Sequence, residues 1–232
     1  MATVLIRDPE LYTDARTKLL EELSKVLIPK IQKGSMRYKG AREGKYISQR
    51  GDIIGKTKDG RTVNFGYGQI RHRGWGPFIH NRRFPAVYAA LCDYADAMLP
   101  ADFEYNTITL NQNILAQKHK DIVNVGESII LGIGDYEGGH LRVYSNDTDY
   151  VAHDIKDKPI KFNGHTTFHE TEPFTGCRYT MIFYKQKASG LPRPSRILTP
   201  EAKAIEDAYD ERVRAHAEAK ALKAQAQVTS TS

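Results

Sequence analysis

A chain of 232 residues, 40% hydrophobic and 27% charged with a net charge of +6, describes an ordinary globular protein able to bury one substantial core. Its longest apolar runs, such as "IILGIG", are too short to cross a bilayer, and "MATVLIRDPE" lacks the basic start and long apolar stretch of a signal peptide. Two cysteines, Cys92 and Cys177, make no disulfide framework, so the expectation is an intracellular protein, cytoplasmic or nuclear, that is not secreted and has no membrane partner.

In chain order, residues 9–33 predict an amphipathic helix with Leu19, Leu20, Leu23, Val26 and Leu27 on one face, acids early and Lys/Arg late. Residues 34–84 are Gly-rich, with short strand candidates at "KYISQ" and "RTVNFGYG". Between Lys30 and Arg83 stand 14 Lys/Arg against three acids, a local +11 that leaves −5 for the rest of the chain. Tyr38, Tyr46, Tyr67, Trp75 and Phe78 lie among these charges. Such a segment suits a nucleic acid, with phosphate contacts from the cations and stacking from the rings; a merely basic surface has the same composition. Residues 84–99 predict a second helix, with Pro85 in its first turn and Pro100 just past its end.

From Asn106 onward the chain breaks into short β runs: "TITLNQNILAQ", "SIILGIG", "HLRVYS", "YVAHDI", "PIKFNG" and "RYTMIFYK". Strands so short and closely spaced predict a sandwich or barrel. A third helix follows from about Pro200 to Gln225, then a polar end. The expected class is α+β, mainly antiparallel β. One domain spans 1–226, with a helical and basic part (1–104), a β core (105–187) and a C-terminal helix (199–226); 227–232 is a disordered tail.

The stretch "QKHKDIVNVGES" (117–128) holds His119 and Asp121 at the end of the β run 107–117, before a turn expected at "NVGES". Residues two apart on extended chain point the same way, so the pair can offer an imidazole and a carboxylate to one metal ion; an ordinary charged turn is the alternative. A site of two imidazoles and one carboxylate, which leaves three positions open, suits non-haem Fe(II). The second imidazole is sought in "FNGHTTFHETEPFTGCRYTMIFY" (162–184), where His165 and His169 both qualify. Nine residues past His169, Arg178 opens an apolar strand after a turn at Pro173 and Gly176. A guanidinium there needs an anion, either a core carboxylate or the tail of a bound dicarboxylic acid.

"HKD" followed fifty positions on by "HETEPFTGCRY" resembles the Fe(II)/2-oxoglutarate-dependent dioxygenases, a likeness spanning roughly residues 105–185. The resemblance implies a double-stranded β-helix (jelly roll) with flanking helices, and an enzyme using Fe(II), 2-oxoglutarate and O2 to oxidise a C–H bond. By it, His119, Asp121 and His169 are the catalytic iron ligands, Arg178 grips 2-oxoglutarate, and His165 is a supporting or alternative ligand. "HKDIVNVGES", preceded by "ITLNQN" and followed by "LGIGDYEGGHL", is similar to the TET/JBP branch, which oxidises the 5-methyl group of pyrimidines in nucleic acid. There the motif's Asn, here Asn124, helps hold the target base; an Asn that merely caps a turn is the plain alternative. "HETEP…RY" also looks like the prolyl hydroxylases, so a protein side chain or a small molecule stays open as substrate. A metal-free nucleic-acid-binding module is the reading from another class.

Other signals carry less. Gly132-x-Gly134-x-x-x-Gly138 has the wrong spacing for a dinucleotide loop and reads as a hairpin turn, and "HTTFH" is not a zincin helix. Both cysteines are expected to be buried packing residues. His72 and His80 could touch substrate or lie idle on the surface.

Overall fold

Helix α1 (Pro9–Ser24) begins as its sequence dictates: Asp8 stays extended and accepts a hydrogen bond from the Leu11 N–H, with proline in the first turn. The helix stops well short of residue 33. Pro29 disfavours helical backbone in the residue before it, and 25–29 leave the helix ahead of it. Leu19 and Leu23 are buried as expected and Ile28 joins them, but Leu27 is 73% exposed. The computed structural model describes residues 2–29, 60–70, 73–121, 123–187 and 190–229. "KYISQ", Tyr38, Tyr46, His72 and most of the basic stretch therefore lie outside the described residues.

A short helix α2 (Ile79–Arg83) leads into α3 (Pro85–Met98), which has the expected bounds and buries Val87, Leu91, Tyr94, Ala95 and Met98. Cys92 is buried here, which pushes its thiol up to about 12 and makes it inert; Cys177 is only half-buried. Helices α1 and α3 pack together through Tyr12 and Tyr94, whose hydroxyls are 3.0 Å apart.

The strands are β1 (Ala2–Thr3), β2 (Arg61–Ile70), β3 (Gly74–Pro77), β4 (Thr107–Gln112), β5 (Asn124–Gly138), β6 (Leu141–Tyr144), β7 (Tyr150–His153), β8 (Ile160–Phe162), β9 (His169–Thr171) and β10 (Phe174–Gln186). They form a seven-stranded sheet, β1-β8-β5-β10-β4-β2-β3, and a three-stranded sheet, β7-β6-β9, with all of these strands paired antiparallel among the described residues. From β4 onward the chain passes repeatedly between the two. Strands β4, β5, β8 and β10 belong to the large sheet and β6, β7 and β9 to the small one, while His119 bridges to His169, the first residue of β9. This is the expected double-stranded β-helix.

Three boundaries differ from expectation. Strand β4 ends at Gln112, because Asn113 turns to φ 53. "NVGES" is no turn but the first third of β5, which then runs straight through "GIGDYEGG" and turns only at Gly138 and Gly139 (φ 76 and 70), a backbone region that glycine enters without penalty. Strand β10 already begins at Phe174, so Gly176 and Arg178 sit inside it. The long β5–β10 pairing, from Phe174 opposite Gly138 to Gln186 opposite Asn124, fixes both ends of the roll together.

Side-chain alternation divides the large sheet into two faces. Tyr179, Met181 and Phe183 of β10 join Leu131, Ile133, Ile108 and Leu110 in the main core against α1 and α3. Arg178, Thr180 and Ile182 point the other way, toward the small sheet, where Ile130, Leu141, Ile155, Ile160 and Phe162 form a second cluster. Helix α4 (Pro200–Thr229) outruns the expected end at Gln225. It is anchored by buried Ala202 and Tyr209, and by Arg82, which pairs with Asp210 at 2.9 Å and Glu206 at 3.1 Å. No helix among the described residues is long and apolar enough to cross a membrane.

Candidate metal centre

His119 and His169 are joined by a reciprocal backbone pair, each N–H donating to the other's carbonyl at 2.9 Å. Two residues on, the Asp121 N–H donates to the Gly164 carbonyl at 2.8 Å. The β pairing thus holds His119 and Asp121 on one strand against His169 and its preceding loop on the other. Both imidazoles are nearly buried, at 9% and 6% exposure.

The tautomers follow from the partners. His119 Nδ1 lies 2.6 Å from the Gln117 carbonyl and His169 Nδ1 lies 3.0 Å from the Thr167 carbonyl. A carbonyl can only accept, so each Nδ1 carries a proton, which in the neutral ring leaves the lone pair on Nε2. Those Nε2 atoms lie 3.8 and 3.9 Å from the two oxygens of Asp121, and the three potential ligand atoms all fall within 4.8 Å of one another. This is a common arrangement for metal-binding histidines, whose second nitrogen is tied down by a carbonyl.

Asp121 is itself held. The Asn124 amide donates to Asp121 Oδ2 at 2.8 Å and to Ser128 Oγ at 3.1 Å, and both Asn124 and Ser128 are buried. Gly164 closes the other side: a Cβ there would stand 2.5 Å from Asp121 Oδ2 and 3.4 Å from His169 Cε1, so only glycine lets the loop approach. Phe162 meets the His169 ring edge-on at 5.0 Å and links the site to the inner apolar cluster. His165 is exposed, and its Nδ1 meets only the Asp121 carbonyl, at 2.9 Å. Of the two candidate histidines, His169 is the one that faces the carboxylate.

Arg178 is 2% exposed on the inner face of β10. Its Nη2 donates to the Gly139 carbonyl at 3.0 Å, and its guanidinium lies over the rings of Phe174 and Tyr136 at 5.3 and 5.5 Å. Nε is buried with no hydrogen-bond partner, as is the Tyr136 hydroxyl, and no carboxylate among the described residues pairs with this arginine. Burial pulls its pKa down to about 10, so it remains a cation at neutral pH. Burying an unpaired cation costs several kcal/mol, and the core salt bridge considered from sequence is not what offsets it here.

Several expected contacts fall elsewhere. His80 is half-buried, with Nδ1 3.2 Å from the Asn64 carbonyl and its ring stacked on Phe84; burial lowers its pKa. Tyr67 is buried and bonds to Glu206, so it stacks on no exposed partner. Sequence reasoning missed the roles of Gly164, Ser128 and Tyr136, each ordinary by type and meaningful only through what it faces.

No family profile matches the sequence, and no curated protein matches it. Among solved structures it is similar to NgTET1 in complex with 5mC DNA (11% identity, covering 82% of this chain and 94% of that one, TM-score 0.42). It is similar also to a prolyl hydroxylase from Trichoplax adhaerens in complex with a hypoxia inducible factor peptide (13%, 77% and 79%, TM-score 0.43). A third is a Pseudomonas putida prolyl-4-hydroxylase (12%, 80% and 92%, TM-score 0.44).

Proposed function

We propose that the chain is an Fe(II)- and 2-oxoglutarate-dependent oxygenase whose substrate is the methyl group of 5-methylcytosine or thymine in nucleic acid. One observation carries the reading: a nearly buried cluster of two imidazoles and a carboxylate stands where the two sheets bridge, and the inner face of β10 carries a buried arginine that the described residues leave without an anion. The donor set is the one that non-haem Fe(II) takes, with positions left for other ligands. The arginine fork suits the far carboxylate of 2-oxoglutarate, and a dianion there would offset the cost of burying it.

When bound, iron with 2-oxoglutarate and O2 would supply the oxidising power that replaces a C–H hydrogen by hydroxyl. The protein's part is to set the positions. His119, Asp121 and His169 would hold the metal, Arg178 with Gly139 and Phe174 around it would orient the co-substrate, and the apolar cluster of Ile130, Leu141, Ile160 and Phe162, which reaches His169 through Phe162, would help to keep water out. A base in duplex DNA would have to be flipped out of its stack to reach this space.

Support for a polyanionic substrate comes from the rim. Lys118 and Lys120 flank His119, and their ammonium groups lie 5.1 and 4.5 Å from the ring of Phe168, the residue before His169. The basic stretch 30–83 adds to it in sequence. The test is nucleoside mass spectrometry on 5-methylcytosine DNA incubated with protein, Fe(II) and 2-oxoglutarate, with succinate followed in parallel. Oxidised methyl groups, absent with His119→Ala, are expected; succinate without base oxidation would move the substrate to a protein side chain or a small molecule.

For Asn124, expected by resemblance to hold the target base, we propose a positioning role instead, because its amide hydrogens serve Asp121 and Ser128. Asn124→Ala should weaken Fe(II) binding by about 10- to 100-fold, the usual effect of losing a partner behind a ligand. Succinate formation and base oxidation should then fall together at low iron and recover together at high iron. Base oxidation lost alone at saturating iron would return Asn124 to the base.

A further inference from the structure

We propose that the cleft between β3 and α4 is a second nucleic-acid site, which seats one unstacked nucleotide of a single strand away from the metal centre. The idea rests on the nucleic-acid reading above and extends it to a surface that the reaction does not use.

The cleft has a volume of about 710 Å³ and is lined by Arg73, Trp75, Leu191, Ile205, Arg212 and His216 among others, with no carboxylate among the described residues of its lining. Its chemistry is that of a phosphate and a flat ring. Trp75 is half-buried on β3, the last strand of the large sheet, and Ile205 and Leu191 make the walls apolar. Arg212 donates to the Trp75 carbonyl at 2.7 Å, which fixes the tryptophan backbone while leaving guanidinium N–H groups for a ligand. Arg73, Arg212 and His216 are exposed.

Of the six acids of α4, three are paired, Glu206 and Asp210 with Arg82 and Asp207 with Lys203 at 2.6 Å, and Glu201, Glu211 and Glu218 do not line the cleft. The helix thus turns paired carboxylates to one neighbour and cations to the cleft. Indole and guanidinium faces accept any base, but only one that has left its stack, which is why the occupant is single-stranded.

Along the sheet, β3 is four strands from β5, whose first residue Asn124 bonds to Asp121, roughly 19 Å at the usual strand spacing. A strand of about six nucleotides at ~3.4 Å per base covers that separation. One strand could therefore occupy both places.

Trp75 is the chain's sole tryptophan, so tryptophan fluorescence reads this cleft and nothing else. The experiment titrates metal-free protein with a short unmethylated single-stranded oligodeoxynucleotide under selective tryptophan excitation. Saturable quenching is expected, weakened at least tenfold by Arg73→Glu and by His216→Glu, two exposed positions that leave the Fe(II)-dependent succinate yield unchanged. The proposal is overturned by no fluorescence change, by equal binding of both variants, or by the same response to inorganic phosphate or to an equal duplex. Quenching in a protein that never oxidises 5-methylcytosine would keep this site and remove the substrate proposed above. Oxidation with a silent Trp75 would do the reverse.

Discussion

Arg178→Met is expected to yield a protein that is harder to unfold than the parent and that 2-oxoglutarate no longer stabilises. The parent buries a guanidinium to 2% exposure with one carbonyl bond and a partnerless Nε. Replacing even paired buried charges by packed apolar side chains is often neutral or stabilising by about 1–4 kcal/mol, and this guanidinium has no carboxylate partner among the described residues. The gain is expected only without ligand. In the parent, 2-oxoglutarate at a hundred times its dissociation constant should add about 2.7 kcal/mol, and the variant should lose that increment. Thermal unfolding with and without 2-oxoglutarate measures both. A variant that is less stable than the parent yet still stabilised by the co-substrate would remove Arg178 from its assigned place. Arg178→Lys should sit between, since an ammonium keeps the charge without the planar fork.

The second large effect belongs to Asp121. Asp121→Ala should abolish oxidation and lower Fe(II) affinity by more than about 100-fold, beyond what loss of an outer partner does. The fold should survive, because the backbone pair between His119 and His169 does not involve the carboxylate. Titration with Co(II) as a spectroscopic stand-in, together with a circular dichroism spectrum matching the parent, tests this. His165→Ala, which removes a ring hydrogen-bonded to a backbone carbonyl, should bind the ion within a few-fold of the parent. Parent-like affinity in Asp121→Ala, or its collapse in His165→Ala, would reassign the ligand set.

Much of this architecture could be read from residue pattern, and the failures have physical reasons. Helix α3 was legible because proline stands at both ends and the apolar period is unbroken. The β run after Asn106 was legible as short alternating strands, and His-x-Asp as a pair with one direction. "GIGDYEGG" misled because glycines usually mark turns; here β5 carries them inside a strand so that β10 can pair closely beside them. "NVGES" misled in the same way, since Asn124 looks like a turn residue until its amide is seen to face Asp121. The choice between His165 and His169 could not come from spacing. It depends on which backbone bridges to His119, a contact between residues fifty positions apart. The same holds for Gly164, whose importance is the nearness of a carboxylate on another strand.

The β-bridge between His119 and His169 also bears on which ion the chain will carry. The distance between the two imidazoles is set by backbone hydrogen bonds, so the site does not gain selectivity by folding around one preferred cation. Affinity at such a ready-made pair of nitrogens and a carboxylate rises from manganese through iron, cobalt and nickel to copper. Fe(II) is then among the weaker contenders, and loading is decided by supply. Protein purified from a nickel- or zinc-rich medium should emerge filled with the wrong ion and silent, and regain activity when chelated and reloaded without oxygen. If the chain holds the iron proposed for it, mismetallation would be its everyday hazard.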